Sequence, residues 1–232
     1  MFGSILGAIY RRTTVIFPPA GLIPSGQVLA DGLKHTTADC AAIVPLVAEE
    51  ISTKPDLLDF ISQNLASIFY SGGTISQEIG DKISKKMRFF SIIGTTETGL
   101  FPTIYPVDHW PTAEWRYFQF NPEYRFDFQQ ASEGEYEAVI KRHPEADKEQ
   151  PVFKVFPALN EYRTGDLYVP HPSKPDLWHY RGRGDDIIVF LTGEKVRSSK
   201  PLGRDSPEPL LDSHVQRYFY TPCHRTSLRS TC

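Results

Sequence analysis

The hydrophobic pattern of this 232-residue chain changes period near Pro102, and that change constrains the fold most. Before it, short β-branched and aromatic runs alternate with segments of helical spacing. After it, apolar residues recur at every second position. The first pattern implies parallel β-α-β units, and the second a mostly antiparallel sheet. The expected fold class is therefore α/β, with parallel β-α-β layers followed by a smaller β-rich subdomain.

Strands are expected over 13–17, closed by Pro18 and Pro19, and over 41–44, 65–70 and 88–93. The 41–44 run reads as a buried strand. Helices are expected over 24–34, 55–64 and 76–86. Ser25 suits an N-cap ahead of Val28, Leu29 and Leu33, while Leu57, Leu58, Phe60 and Ile61, and then Ile79 and Ile83, recur on helical spacing. Beyond Pro102, Phe118/Phe120, Phe126/Phe128 and Tyr136/Ala138/Ile140 alternate with polar residues. Short strands are added at 168–169, 178–180 and 187–190. The organisation expected is an α/β part over 1–102, a β-rich part over 103–196, and an atypical tail over 197–232. The tail holds nine Ser/Thr, four Pro and no sustained apolar period. It reads as sequence past a splice junction or frameshift, or as a flexible tail.

Composition removes several classes of function. At 40% hydrophobic and 23% charged the chain reads as a soluble globular protein, and its net charge of −3 offers nucleic acid no basic surface. Cys40, Cys223 and Cys232 are too few and too scattered for a disulfide framework, and no C-x-x-C pair suggests zinc. No stretch reaches bilayer length, and Met1 to Pro19 carries its arginines after the apolar run instead of before it. A cytoplasmic protein with no membrane partner is the expectation. No G-x-S-x-G elbow marks a serine hydrolase.

Three strings carry chemistry. Gly72-Gly73-Thr74 follows a strand, where glycines let a flat ring approach the backbone, although a plain strand-to-helix turn has the same wording. In Gly94-Thr95-Thr96-Glu97 a threonine hydroxyl can donate to a phosphate oxygen, and the carboxylate is a hard ligand for Mg2+. In Tyr162-Arg163-Thr164-Gly165-Asp166-Leu167 the aspartate can accept two hydrogen bonds from a cis-diol, or can be an ordinary turn residue. Arg183-Gly184-Asp185 spells an adhesion tripeptide, a reading that needs an exposed loop in a secreted protein.

In their order and separations, Ser91 to Gly99, Tyr162 to Leu167 and Gly182 to Ile187 resemble the central motifs of adenylate-forming enzymes. These include acyl-CoA synthetases and the adenylation domains of nonribosomal peptide synthetases. The wording is most similar to fungal synthetase-like reductases, and the resemblance covers roughly residues 13–196. It implies ATP or AMP and Mg2+ as cofactors and a carboxylic acid as substrate, with CoA or a phosphopantetheine carrier domain as acceptor. Thr96 is assigned to the α-phosphate, Glu97 to Mg2+, Gly72, Gly73 and Thr74 to the adenine loop, and Asp166 and Arg183 to ribose and phosphate. Asp185 is assigned to a hinge. Ser71, Ile92, Gly94 and Thr98 are expected to line the acid pocket. Relatives commonly carry an aromatic residue where this chain has Ile93, which keeps an apolar contact with adenine and loses stacking.

The family's Ser/Thr/Gly-rich phosphate loop ending in Lys has no counterpart in the string, nor has its lysine-bearing C-terminal subdomain. Two functions therefore stand: a partial adenylation domain, inactive by itself, or a non-catalytic nucleotide-binding remnant or interaction module.

Overall fold

The computed structural model describes residues 12–105, 112–146, 148 and 150–184, together with the backbone of 187–189 and 195–197. All of these fall within one compact unit, Met1–Ser199.

Helix α1 (Gly26–Leu33) begins where expected, because the Ser25 hydroxyl accepts from the Val28 amide at 3.1 Å. Strand β1 (Cys40–Ile43) follows, then two helices, α2 (Pro45–Thr53) and α3 (Pro55–Asn64). Strand β2 (Ser67–Tyr70), helix α4 (Gln77–Ser84) and strand β3 (Arg88–Ser91) complete the first half. The three strands form a parallel sheet in the order β1-β2-β3, with Ile43 beside Tyr70 and Tyr70 beside Ser91. Ile51, Ile61, Ile68, Ile83 and Phe89 fill the core between sheet and helices.

Three local expectations differ from the structure. Residues 13–17 are irregular and exposed, so β-branched composition alone did not make a strand without a partner to pair with. Among the described residues strand β1 pairs only with β2 and buries just Ile43, as an edge strand does. Helix α2 was not expected. It starts with Pro45 at its first turn and has no side-chain cap, yet Val47, Ala48 and Ile51 face the core.

The second half is a five-stranded antiparallel sheet in the spatial order Tyr117–Gln119, Leu177–Arg183, Glu161–Pro170, Glu135–Lys141, Phe126–Ser132. A two-residue ladder, β4 (Gly94–Thr95) with β5 (Gly99–Leu100), precedes it. The sheet strands are β6 (Tyr117–Gln119), β7 (Phe126–Ser132), β8 (Glu135–Lys141), β9 (Glu161–Pro170) and β10 (Leu177–Arg183). Between β8 and β9 lies a single helical turn, α5 (Val152–Val155). A short β11 (Ile187–Val189) pairs with β12 (Lys195–Arg197). The core of this half is aromatic: Phe101, Phe118, Phe120, Tyr124 and Tyr168 pack together, and Phe128 stacks on Trp178 with centroids 3.8 Å apart. The alternation expected of Phe118/Phe120 and Phe126/Phe128 is what puts these rings on one face.

Each core takes an aromatic residue from the other half's stretch of sequence. Trp115, beyond Pro102, joins the first core: its ring lies 5.5 Å from Phe89, and its indole N–H donates to Asp81 Oδ1 at 2.8 Å. Phe101, before Pro102, joins the second core and meets Phe126 edge-on at 5.0 Å. Gly80 is required under Trp115, because a Cβ there would sit 2.0 Å from the indole.

Candidate nucleotide site

In open parallel sheets, ligands bind beyond the carboxyl ends of the strands. The structure places two of the three strings there. Ser71 continues β2, its amide donating to the Ile43 carbonyl at 3.2 Å; Ser71 and Gly72 are exposed, and Gly72 takes a positive φ of 86°. Gly73 is half-buried and Thr74 exposed in the same loop. Ile92 continues β3, its amide donating to the Tyr70 carbonyl at 2.9 Å. Ser71 and Ile92 thus end neighbouring strands. Gly94 follows, and its lack of a side chain is a requirement: a Cβ would lie 2.2 Å from the Gly99 carbonyl oxygen.

Residues 94–100 fold into a tight hairpin that exposes Thr96 at its turn, with Glu97 beside it half-buried. Thr95 and Thr98 lock the turn. Their hydroxyls lie 2.9 Å apart, and each accepts a backbone N–H from the other residue. Thr98 is only 1% exposed, with its hydroxyl donating to the Gly99 carbonyl. Ile93 packs against the aromatic core.

The hairpin is fastened to the antiparallel sheet. Phe101 donates its amide to the Ile93 carbonyl at 2.9 Å, Asn121 to Pro102 at 2.9 Å and Ile104 to Gln119 at 2.7 Å. The Tyr124 hydroxyl reaches the Thr98 carbonyl at 3.5 Å. These bonds carry the Glu97 turn across to the sheet that holds the third string.

Asp166 is a strand residue, not a turn residue. It lies in β9, 4% exposed, paired with Arg183 of β10, whose guanidinium approaches its Oδ1 at 3.4 Å. Both ladders around it are irregular. The β8–β9 register shifts between Glu137 and Val139, and the β9–β10 register between Tyr180 and Gly182. Gly165 takes the left-handed conformation, at φ 72°, and the Gly184 amide donates to its carbonyl at 2.7 Å. Such irregularities re-aim side chains. The neighbouring Arg163 turns outward to Glu137 and Gln129, and Thr164 turns inward to the Ala138 carbonyl at 2.8 Å.

Asp166 and Arg183 form an ion pair between β9 and β10, and their charges and that of Glu97 all act on the Tyr162 phenol at the start of β9. Burial first, then the charge of Glu97, raises the Tyr162 phenol above its ordinary pKa; Arg183 opposes the shift, and Asp166 adds to it. Three charges separated by up to 86 residues of sequence are thus coupled to one hydroxyl. Tyr162 stands at the head of its string, and residue type alone assigns it no role. The missed signal was the alternation of Tyr162, Thr164, Asp166 and Tyr168, which reads as one face of a long strand.

Asp185, the expected hinge, lies outside the described residues. Among the described residues no cluster of three His, Cys, Asp or Glu side chains could hold a metal, and no helix is long and apolar enough to cross a membrane. Two open concavities, of about 520 and 540 Å3, share no lining residue with this cluster. One is lined by Arg142, His143 and Phe153, the other by Gln27, Lys54 and Phe60.

No protein-family model matches the chain. Over 196 residues it is 31% identical to the isocyanide synthase–NRPS hybrid crmA of Aspergillus fumigatus, covering 83% of this chain and 12% of that protein. Over 175 residues it is 32% identical to a carboxylic acid reductase of Neurospora crassa, covering 74% of this chain and 16% of that one. The chain thus spans less than one fifth of either relative. Its fold is similar to the amide bond synthetase McbA from Marinactinospora thermotolerans, at 15% identity and a TM-score of 0.53, over 71% of this chain and 35% of that one.

Proposed function

Because this chain belongs to the adenylate-forming superfamily, we propose that it forms the ribose-and-metal side of an adenylation site, where ATP activates a carboxylic acid to an acyl-adenylate. The observation that carries the proposal is the buried Asp166–Arg183 pair held between β9 and β10 at the two register shifts. Asp166 accepts hydrogen bonds from both ribose hydroxyls, and Arg183 orients it from the next strand. Thr96, exposed at the hairpin turn, donates to the α-phosphate. Gly72, Gly73 and Thr74 lie along adenine. The acid substrate lies against Ser71, Ile92 and Gly94, and the acceptor is a thiol of CoA or of a carrier domain.

The residues fit a divalent cation of the Mg2+ type. Glu97 is the single carboxylate of the turn over residues 94–100, and Mg2+ is commonly held by one or two carboxylates with phosphate and water completing its shell. When bound, it neutralises phosphate charge. Glu97 is anchored for that task by the Thr95–Thr98 lock behind it.

A second reading is favoured by one observation. The 232 residues contain no Ser/Thr/Gly-rich string ending in lysine, so this polypeptide by itself is expected to bind nucleotide without turnover. Missing electrostatic groups of this kind cost several orders of magnitude in rate. Two measurements test the proposal. Calorimetry should detect weak AMP binding that Asp166→Ala reduces at least ~10-fold, as expected when a charge-assisted pair of hydrogen bonds is removed; equal binding by the variant would refute the ribose assignment. Acid-dependent exchange of pyrophosphate into ATP should be undetectable. Exchange above that of a Glu97→Ala control would instead show a complete adenylation site.

A further inference from the structure

We infer that the concavity walled by Arg142, His143 and Asn160 is a binding site for a small organic carboxylate. It shares no lining residue with the nucleotide cluster and does not rest on the nucleotide reading.

The hollow measures about 520 Å3, room enough for a small ring bearing an acid group. Its charge is one-sided. Arg142 is permanently cationic, His143 is the other ionisable residue of the lining, and no lining residue is a carboxylate. The Glu145 carboxylate stands 3.9 Å from His143 Nδ1, with its side chain 83% exposed, and is not part of the lining.

The donors are fixed in place and still have capacity to spare. Arg142 Nη1 donates to the Pro157 carbonyl at 2.6 Å and to the Leu159 carbonyl at 3.3 Å, and the guanidinium lies 5.4 Å over the Phe153 ring. These contacts immobilise the group and leave its Nε–Nη2 edge without a hydrogen bond among the described residues. That edge is the fork that meets both oxygens of a carboxylate. His143 Nδ1 accepts the Glu145 amide at 3.3 Å, so the neutral ring carries its hydrogen on Nε2 and has a second donor. The Asn160 carboxamide is exposed and bonds no described residue, while its backbone carbonyl accepts the Arg142 amide at 2.9 Å and ties the two residues together. Gln150 offers a ligand nothing. It is fully buried, its carboxamide donates to the Tyr124 and Lys141 carbonyls, and its oxygen accepts the His143 amide at 3.0 Å. Its task is to hold the wall that carries His143.

The balance of charge selects the ligand class. One fixed positive charge with neutral donors on either side complements a monoanion, whereas a phosphate dianion brings a second charge that the lining does not match. Pro144 and the Phe153 ring beneath the guanidinium add apolar surface, which suits an acid with an apolar body.

The test is a titration of the isotope-labelled full chain with benzoate and with benzamide, its uncharged counterpart, followed by amide NMR shifts. Benzoate should give saturable shifts at residues 142, 143, 153 and 160, with a dissociation constant in the millimolar range, and benzamide should give none there. Arg142→Gln should weaken benzoate about 10-fold, the order of a hydrogen bond to a charged group. That variant also frees the Pro157 and Leu159 carbonyls, so Asn160→Ala provides the second arm: it removes only a side chain bonded to no described residue and should weaken benzoate about 3-fold with an unchanged melting curve. Parent affinity in Asn160→Ala, or in Arg142→Gln with an intact melting curve, would overturn the inference. Equal shifts with benzamide, or no saturable shift at these amides, would do the same. Shifts confined to Ser71, Ile92 and Gly94 would place the acid in the adenylation pocket alone, overturning this inference while leaving the proposed function standing.

Discussion

The two larger sheets of this protein are held together by different means, and the charges of the candidate site sit in or against the less regular one. The parallel layer is built from aliphatic side chains a few residues apart in sequence, in strands of four residues with unbroken register. The antiparallel sheet is built on aromatic rings, and its ladders shift register at three places. Two of those shifts flank Asp166 and Arg183. The regular half ends strands at a common edge, where Ser71 and Ile92 emerge. The irregular half accommodates buried polar groups that a regular ladder would turn elsewhere. The lesson is a division of labour: uniform packing sets where loops begin, and tolerated irregularity aims the charged groups.

Four perturbations bear on that contrast, in order of expected effect. The largest is Trp115→Ala. This ring is 1% exposed, belongs to the aliphatic core despite its place in sequence, and bonds Asp81. Its loss should destabilise by about 3–5 kcal/mol in urea titration. A loss below about 1 kcal/mol would mean that the parallel layer is complete without its borrowed aromatic residue.

Next is Gly94→Ala, which forces a Cβ against the Gly99 carbonyl at the junction of the two halves. The expected destabilisation is about 2 kcal/mol, with loss of AMP binding as the Glu97 turn shifts. Retained binding at parent affinity would show that the hairpin does not aim Glu97.

Tyr168→Phe tests tolerance of irregularity directly. The Tyr168 hydroxyl is fully buried without a hydrogen-bond partner among the described residues, and burial raises its pKa well above the usual phenol range. Removing an unsatisfied hydroxyl should stabilise by about 1 kcal/mol, read as a rise in the urea midpoint. Destabilisation would show instead that this hydroxyl is bonded in solution.

The smallest effect concerns His179 in β10. Burial, then Arg116 and Arg181, lowers its pKa to about 4 from the ordinary 6.5. The folded state therefore holds it neutral while the unfolded chain protonates it. Stability from this group is fully present above about pH 6.5 and is lost as pH falls towards 4. The ring is half-exposed, so solvent screening limits the change to about 1 kcal/mol. His179→Gln should flatten the decline in melting temperature over that window; an unchanged slope would assign the acid sensitivity to other groups.

Legibility followed the same contrast. Helices α1, α3 and α4 were readable because their signals are local: Ser25 and Ser76 cap their helices, and the apolar spacing of residues 55–64 points one way. Helix α2 escaped because no cap announces it and its neighbour begins two residues later, with Lys54 ending one helix and opening the next. Residues 13–17 misled for the converse reason, since strand propensity acts only when a partner edge is present. In the site, Glu97 and Asp166 were recognisable from their strings. The burial of Thr98 was not legible, because it follows from the Thr95–Thr98 lock and not from residue type.

The sequence by itself determined the two periods, the change between them near Pro102, and the residue types needed for an adenylation chemistry. These are short-range properties, written into neighbours a few positions apart. Only the tertiary structure decided that Trp115 and Phe101 exchange cores, that Asp166 sits in a strand between two register shifts, and that Tyr162 couples to Glu97, Asp166 and Arg183. Those outcomes depend on which strand edges meet and which rings fill the remaining volume. Close packing settles such choices over the whole molecule at once, and no local window of sequence contains them.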